Sequence, residues 1–329
     1  MVLQFVLAFL ISMAVTAVVG YFLIPALRRV KAGQSIREDG PVWHNKKQGT
    51  PMMGGVMFIC GITAACLVVG FAAMGDGDFR HIFILLFALV FAAIGFLDDY
   101  KKLRRKQNLG LKAKQKLALQ VVVAFGFVAL MRLTGNLTPS LYIPFINITL
   151  YIPEPLYYAF AAFVAVGTVN SVNITDGVDG LATGVTMPIA VWFAVVAGIW
   201  GYTSIGLFAT ALMGGLGAFL FFNFHPAKVF MGDTGSLFLG GAICAMAFAI
   251  DMPLILIPLG IVYFIETLSD IIQVSYFKLT KGKRVFKMAP IHHHFEMCGW
   301  SEYKLFAVFT SVSAVFAVIS YFGVIGRGI

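Results

Sequence analysis

The sequence predicts an all-α fold: a polytopic integral membrane protein of about ten transmembrane helices, both termini outside, with a small external hairpin. Three observations carry this. Hydrophobic residues make up 60% of the 329 and charged residues only 12%, with a mean hydropathy of +0.89, whereas a soluble chain is about 25% charged. The apolar stretches are continuous and helix-length, which the strands of a lipid-facing barrel are not. Nearly all the Lys and Arg lie in alternate loops. The shortage of charge also excludes a disordered chain and a nucleic-acid-binding one. Thirty-four Gly and 32 Phe suit close helix packing and a lipid-facing surface.

Runs of about 20 apolar residues place spans at residues 2–27, 52–74, 81–97, 117–133, 156–169, 181–200, 205–222, 237–250, 254–277 and 305–325. The first is too long for a signal-peptide core and has no basic stretch before it, so it reads as a retained helix. No soluble domain fits between the spans.

The segment 28–51 carries Arg28, Arg29, Lys31, Arg37, Lys46 and Lys47. Residues 98–116 carry Lys101, Lys102, Arg104, Arg105, Lys106, Lys112, Lys114 and Lys116. Lys228 lies in 223–236, and Lys278, Lys281, Lys283, Arg284, Lys287 and Lys304 lie in 278–304. Of the 24 basic residues only Arg80, Arg132 and Arg327 fall elsewhere. The positive-inside rule makes the basic loops cytoplasmic and both termini external. The net charge of +9 reflects this bias. Between the fourth and fifth spans, two short extended runs, 141–145 and 148–152, are punctuated by Pro139, Pro144, Pro153 and Pro155 and predict the hairpin. Cys60, Cys66, Cys244 and Cys298 have no metal spacing and read as packing thiols.

The scarce polar residues gather in the cytoplasmic loops. The third span ends in Asp98-Asp99-Tyr100, adjacent carboxylates that repel each other at the membrane edge, which points to a metal or general-base site. Lys102 and Lys106 share a helix face and suit phosphate, or a lipid headgroup. Residues 170–180 hold Asn170, Asn173, Asp176, Gly177, Asp179 and Gly180, too much polarity for a turn alone. After the seventh span come Asn223, Phe230 and Met231-Gly232-Asp233-Thr234-Gly235-Ser236. Thr234 or Ser236 is placed to cap the next helix, whose free N–H groups suit an anion, with Asp233 as a hard oxygen ligand for Mg²⁺ beside it. The last cytoplasmic loop contains Pro290-Ile291-His292-His293-His294-Phe295-Glu296. Three consecutive His cannot all pack alike, and they lack the helical spacing of zinc sites, so they read as donors to a diphosphate or sugar. Residues 46–55 are basic and Gly-rich but lack P-loop spacing. Glu266 and Asp270 share a face inside the ninth span, downstream of Pro258; intramembrane acids mark a function or a polar helix contact.

These motifs together resemble the polyprenyl-phosphate hexosamine-1-phosphate transferases over essentially the whole chain. The Asp98-Asp99-Tyr100 and Phe230–Ser236 motifs mark the superfamily, and the triple-His motif points to its muramyl-pentapeptide branch. The resemblance implies one transmembrane catalytic domain, residues 1–329, in the bacterial cytoplasmic (inner) membrane, with its site facing the cytoplasm. It implies Mg²⁺-dependent transfer of phospho-MurNAc-pentapeptide from its UDP carrier to undecaprenyl phosphate, giving lipid I and UMP in peptidoglycan synthesis, and so a role in cell-wall biogenesis, shape and division. By motif position, Asp98, Asp99 and Asp233 form the acidic centre, with Asp233 and Asp99 the metal ligands. Asn170, Asp176, Gly177, Asp179, Asn223 and Phe230 surround the nucleotide, the Phe230 ring offering its face to the base. His292, His293 and His294 meet the donor, and Lys102 and Lys106 meet phosphate. The partners implied are UDP-MurNAc-pentapeptide, undecaprenyl phosphate and membrane lipid; a homodimer is the assembly considered, and nucleic acid is not a partner. The acceptor's tail needs an apolar groove, which a bent ninth span would provide.

Two alternatives frame this expectation. A sibling enzyme would use UDP-GlcNAc with the same chemistry, and the triple-His motif argues against it. An ion-coupled transporter would use Glu266 and Asp270, but it needs polar residues at mid-membrane, whereas here they concentrate at one surface.

The orientation is testable by thiol labelling in a background without the native cysteines. A cysteine at Gly135 is expected to label from outside the cell, and one at Gly282 only after permeabilisation. The reverse pattern would overturn the orientation.

Overall fold

A computed structural model describes residues 1–30, 47, 49–75, 77–105, 110–135 and 137–327. Lys106, one of the expected phosphate-binding residues, lies outside them. The elements, in order, are α1 (Val2–Arg29), α2 (Gly55–Val68), α3 (Phe71–Gly75), α4 (Arg80–Arg105), α5 (Ala113–Leu133), the strands β1 (Ser140–Ile143) and β2 (Ile148–Tyr151), then α6 (Glu154–Thr175), α7 (Leu181–Ile199), α8 (Thr203–Asn223), α9 (Gly232–Ala249), α10 (Leu256–Leu259), α11 (Ile261–Leu279), α12 (Ile291–Glu296) and α13 (Glu302–Ile325).

Each expected span has its helix. Among the described residues eight helices are long and apolar enough to cross a membrane, and nine when a bent pair is taken as one span. That pair is the ninth span: Pro253–Leu259 meets Ile261–Leu279 at 81°, with Gly260, a poor helix former, at the join. The second span, expected over 52–74, is the exception. Its helix α2 starts only at Gly55 and stops at Val68. Upstream, the backbone pairs with the chain before α9 instead: Phe230 N–H donates to Pro51 O, Gly54 N–H to Phe230 O and Gly55 N–H to Met231 O, at 2.8–3.0 Å.

The bundle is organised around α9, which is buried on every face except at Asp233 and packs chiefly against α4 and α6. Its small residues permit this, because close backbone approach needs side chains no larger than Gly or Ala. A Cβ on Gly95 of α4 would lie 2.1 Å from the Asp233 carbonyl oxygen, and one on Gly55 would lie 2.3 Å from Gly235 Cα. On α1, Ala8, Ser12, Thr16, Gly20 and Ile24 are the buried residues. Their spacing of four makes a single small-residue stripe, set against α2 and α8.

The two ends of the bundle differ as the loop charges predict. At one end the antiparallel β1–β2 hairpin, with Ser140 opposite Tyr151 and Ile143 opposite Ile148, sits where the hairpin was expected. Thr138 Oγ1 donates to Asp251 Oδ2 at 2.6 Å. The three stray arginines all lie here and are all engaged: Arg80 with Asp78 at 2.9 Å, Arg132 with Glu154 at 2.6 Å, and Arg327 with the carbonyl of Ile250 at 2.8 Å. The polar motifs occupy the opposite end. All four cysteines are free, Cys66 and Cys244 buried, Cys60 and Cys298 exposed.

Two glycines test the packing account. Gly55→Ala pushes a methyl against backbone and is expected to cost roughly 1–3 kcal/mol by overpacking, read as a lowered unfolding temperature in detergent. Gly126→Ala, on α5 with nothing within 4 Å of the added carbon, is expected to leave that temperature unchanged or slightly raised.

Candidate active site

Four elements meet at the acidic centre. Asp98 and Asp99 are adjacent on α4 but point to different partners, which relieves the repulsion their sequence implies. Asp98 Oδ2 is 2.6 Å from Lys102 Nζ, and its Oδ1 accepts the Leu111 N–H. Asp99 reaches the start of α9: Oδ2 accepts from Thr234 N–H at 2.9 Å and from Thr234 Oγ1 at 2.7 Å, and Oδ1 from Asp233 N–H at 3.2 Å. A carboxylate at a helix N-terminus satisfies unpaired N–H groups and meets the positive end of the dipole. The cap expected from Thr234 or Ser236 therefore comes from another helix. Ser236 Oγ instead donates to Gly232 O and accepts from Asn173 Nδ2 at 2.7 Å, so those first N–H groups of α9 are taken by Asp99 rather than left for an anion.

Asp233 is the hub. Its Oδ2 lies 3.0 Å from Lys102 Nζ and 2.9 Å from Lys116 Nζ, and Oδ1 accepts from Asn173 Nδ2 at 2.8 Å. Three carboxylates thus face two ammonium groups. Asp98, Asp99 and Asp233 each offer an oxygen within 4.8 Å of the others. Hard oxygen donors with a surplus negative charge fit a divalent cation of the Mg²⁺ type. Asp176 lies just beyond and is half-buried. Its burial, then the charges of Asp233, Asp99 and Asp179, hold its carboxyl well above the usual range.

A second cluster ties four distant segments together. Lys47 Nζ is 2.7 Å from both Asp179 Oδ1 and Glu302 Oε2. Asp179 Oδ2 accepts the Ala227 N–H at 3.0 Å and lies 2.9 Å from His225 Nδ1. Asp179, His225 and Glu302 have the spacing of a metal site, but the Lys47 ammonium sits between the two carboxylates. Burial alone would push the Asp179 carboxyl up; Lys47, Ala227 and His225 overcome it and hold it below its usual value. Burial lowers Lys47 in turn, and Asp179 and Glu302 overcome that and hold it above its usual value.

The three histidines diverge, as their adjacency requires, though not in a loop: Ile291–Glu296 is a helical turn, α12, opened by Pro290. His292 is fully buried, with Nδ1 2.9 Å from Glu266 Oε2 on α11. His293 Nδ1 is 2.6 Å from Glu296 Oε2. His294 Nδ1 accepts the Lys287 N–H at 3.1 Å. Among the described residues no group with metal-binding spacing includes any of them.

The remaining expected residues sort by what they touch. Gly177 abuts His292, where a Cβ would lie 2.3 Å from Nε2, so close approach is what this glycine allows. Gly180 is the one with positive φ, 74°. Asn170 faces away from Asp233: its Nδ2 donates to Gln120 Oε1 at 2.7 Å and binds α6 to α5. Asn223 is buried, donates to Val229 O at 3.0 Å and accepts from Thr183; it shapes the turn that carries Phe230. Lys47, Lys116, His225 and Glu302 were given no site role from the sequence; Asn173 stood out with Asn170 in the 170–180 motif, without a role of its own.

The chain is similar to known proteins over nearly its whole length. A family model described as glycosyl transferase family 4 matches residues 81–251. The phospho-N-acetylmuramoyl-pentapeptide-transferase of Clostridium botulinum is 46% identical over 320 residues, 95% of this chain and 94% of that protein. Its counterpart in Clostridium acetobutylicum is 45% identical over 318 residues, covering 96% and 98%. That of Heliobacterium modesticaldum is 45% identical over 317 residues, covering 96% of each.

The Lys47 tether has a defined pH window. Asp179, being depressed, stabilises fully above its usual 3.8 and loses that contribution as pH falls through the lower folded value. Lys47, being raised, stabilises fully below its usual 10.5 and loses that contribution as pH rises through the higher one. Lys47→Met leaves two carboxylates without their cation. It is expected to cost about 1–3 kcal/mol, equally at pH 8 and pH 9, where His225 beside both carboxylates supplies no substitute cation, in thermal unfolding, and to raise KM for a nucleotide-linked donor.

Proposed function

The chain belongs to the phospho-N-acetylmuramoyl-pentapeptide transferases, within glycosyl transferase family 4, and from that membership and the geometry of its acidic centre we propose how it works. It is a multi-pass membrane phosphotransferase that transfers phospho-MurNAc-pentapeptide and makes lipid I in peptidoglycan synthesis. In our reading UDP-MurNAc-pentapeptide is the donor, undecaprenyl phosphate the acceptor and UMP the leaving product, at the cytoplasmic face of the bacterial inner membrane, with residues 1–329 acting as one catalytic domain. The observation that carries this reading is the meeting of Asp98, Asp99 and Asp233 with Lys102 and Lys116 at one end of an apolar bundle. A soluble donor and a lipid acceptor can meet only at such a boundary.

The donor's nucleotide is assigned to the 176–180 loop and the tether beside it, with Phe230 under the base, Asp176, Gly177 and Asp179 around it, and Asn170 and Asn223 holding those segments in place. The histidines of α12 face the rest of the donor. The acceptor's tail is assigned to the lipid side of α11, where Phe264, Ile265, Leu268 and Ile271 are exposed beyond the 81° bend.

In the reaction, an oxygen of the acceptor phosphate attacks the phosphorus attached to the sugar, and the bond from that phosphorus to the UMP oxygen breaks. A phosphate monoester has a second pKa of about 6 and is mostly the dianion at neutral pH, so it is a competent nucleophile without a covalent enzyme intermediate. Positioning and charge neutralisation supply most of the acceleration. Asp233 and Asp99 are the residues assigned to Mg²⁺, which when bound offsets charge on the diphosphate. Lys102 and Lys116 are salt-bridged to carboxylates, so an incoming phosphate must compete for them. When Lys102 turns to phosphate it leaves Asp98 Oδ2, and that oxygen becomes free to orient the acceptor or take its residual proton. Charge neutralisation and release of the base are thus one movement.

Asp233→Asn is expected to weaken Mg²⁺ dependence and nearly abolish turnover. Asp98→Asn should keep donor binding and lower kcat, with the loss partly relieved as pH rises and the acceptor becomes fully dianionic. Incubation with labelled donor and no acceptor lipid is the direct test: no stoichiometric UMP release is expected. Such release, with label retained on Asp98, would replace direct attack by a double displacement.

A further inference from the structure

Glu266 takes no part in the chemistry above, yet it is wholly buried in α11. Its one ion pair among the described residues is with His292, also buried, at 2.9 Å from Oε2 to Nδ1. The other two polar atoms of this pair, Glu266 Oε1 and His292 Nε2, are shielded and have no partner. The His292 ring packs on His293, centroids 4.1 Å apart, and turns Nε2 toward Gly177, where only the absence of a side chain leaves room for it. Among the described residues, the ionisable groups placed beside the pair include Asp270, within electrostatic reach of the ring from one turn along α11, His293 with its partner Glu296, and Asp176 next to Gly177.

Electroneutrality then assigns the protons. A carboxylate buried against a neutral imidazole leaves a bare negative charge in apolar surroundings, beside other acids, which is strongly disfavoured. Three arrangements are net neutral. A carboxylic acid with its proton on Oε1, accepting at Oε2 from an Nδ1–H imidazole, would leave that O–H buried without an acceptor. The other two, a carboxylate with an imidazolium and a carboxylic acid donating from Oε2 to Nδ1, place one hydrogen between Oε2 and Nδ1, and in both Nε2 also carries a hydrogen, so it is a donor. A buried donor without an acceptor is costly, and this one points at the loop assigned to the nucleotide.

We propose that Glu266 is a positioning residue that keeps His292 protonated at Nε2 and aimed at the 176–180 loop, where the N–H donates to an acceptor oxygen of the bound UDP-linked donor. This rests on the reading of His292 as a residue that meets the donor. It gives Gly177 a definite part, since its missing Cβ is what lets the ring edge reach the loop.

The ring nitrogens can be observed directly in full-length enzyme labelled with ¹⁵N-histidine in lipid bilayers, with the His292 signals assigned by their loss in His292→Gln. The wild type is expected to show a protonated Nε2; an unprotonated one overturns the proposal, even if no Glu266 variant folds. Turnover supplies the second measurement. Glu266→Gln can donate an amide hydrogen to Nδ1 and so retain the Nε2–H, and is expected to stay within about tenfold of wild type. Glu266→Leu cannot, and should lose about 100-fold in kcat with KM for the acceptor lipid unchanged. Equal losses in the Gln and Leu variants, or full activity of Glu266→Leu while His292→Gln is inactive, would remove the proposal alone. Full activity of His292→Gln would remove the donor-contact reading and the proposal with it.

Discussion

The site hangs on one carboxylate. Asp99, at the edge of the membrane on α4, accepts three hydrogen bonds from the first turn of α9. That cap fixes where α9 begins, and with it where Asp233 points. Because α9 is buried almost throughout and packs against α2, α4, α6 and α7, the same bond sets the depth of that core relative to its reactive end. A charge in this place would be costly if left alone. Here the helix dipole, Thr234 and Lys102, 3.9 Å away, offset part of that cost, so the requirement of the membrane and the requirement of the site draw on the same contacts.

The cations follow from that arrangement. Lys102 comes from the helix that carries Asp98 and Asp99, one turn on, while Lys116 comes from the first turn of α5. Both reach Asp233, so the end of α4 and the start of α5 are pinned by a residue at the start of α9. Asn173 on α6 completes the ring. The polar groups of the centre are therefore internally saturated, and a substrate phosphate enters by exchange: it takes over ammonium groups that carboxylates already hold. This favours a ligand of high charge density, and a weakly charged one gains little by the exchange.

What sequence reveals here divides by range. Span positions, the sorting of basic residues to one end and the hairpin at the other were readable because hydropathy, charge bias and proline punctuation are local properties. The acidic motifs were readable because charge is scarce in this chain, so any cluster stands out. Partner choice was not. Asn170 looks like part of a ligand loop but spends its amide on Gln120, fifty positions away in the chain. Lys47 and Lys116 were hidden among basic residues that the positive-inside rule already explains. The Asp99 cap escaped because capping is usually sought within a few residues of the helix, and here it spans 135 positions. The histidines read as loop residues, because a single turn following Pro290 is too short to show helical periodicity.

The Lys47 tether carries a consequence for biogenesis. It joins the loop after the first span to Glu302, at the start of the last helix, 255 positions later. Hydrophobic insertion of each span needs only its own twenty or so residues, so the chain can enter the bilayer stepwise from the ribosome. The reactive surface cannot be finished stepwise. Until α13 has been made and delivered, Lys47 lacks one of its two carboxylates and the 176–180 loop lacks the Glu302 oxygen that accepts the Asp179 N–H. A nascent or truncated chain would sit in the membrane as an inserted but unlocked bundle, so that catalytic competence becomes a signal that synthesis is complete.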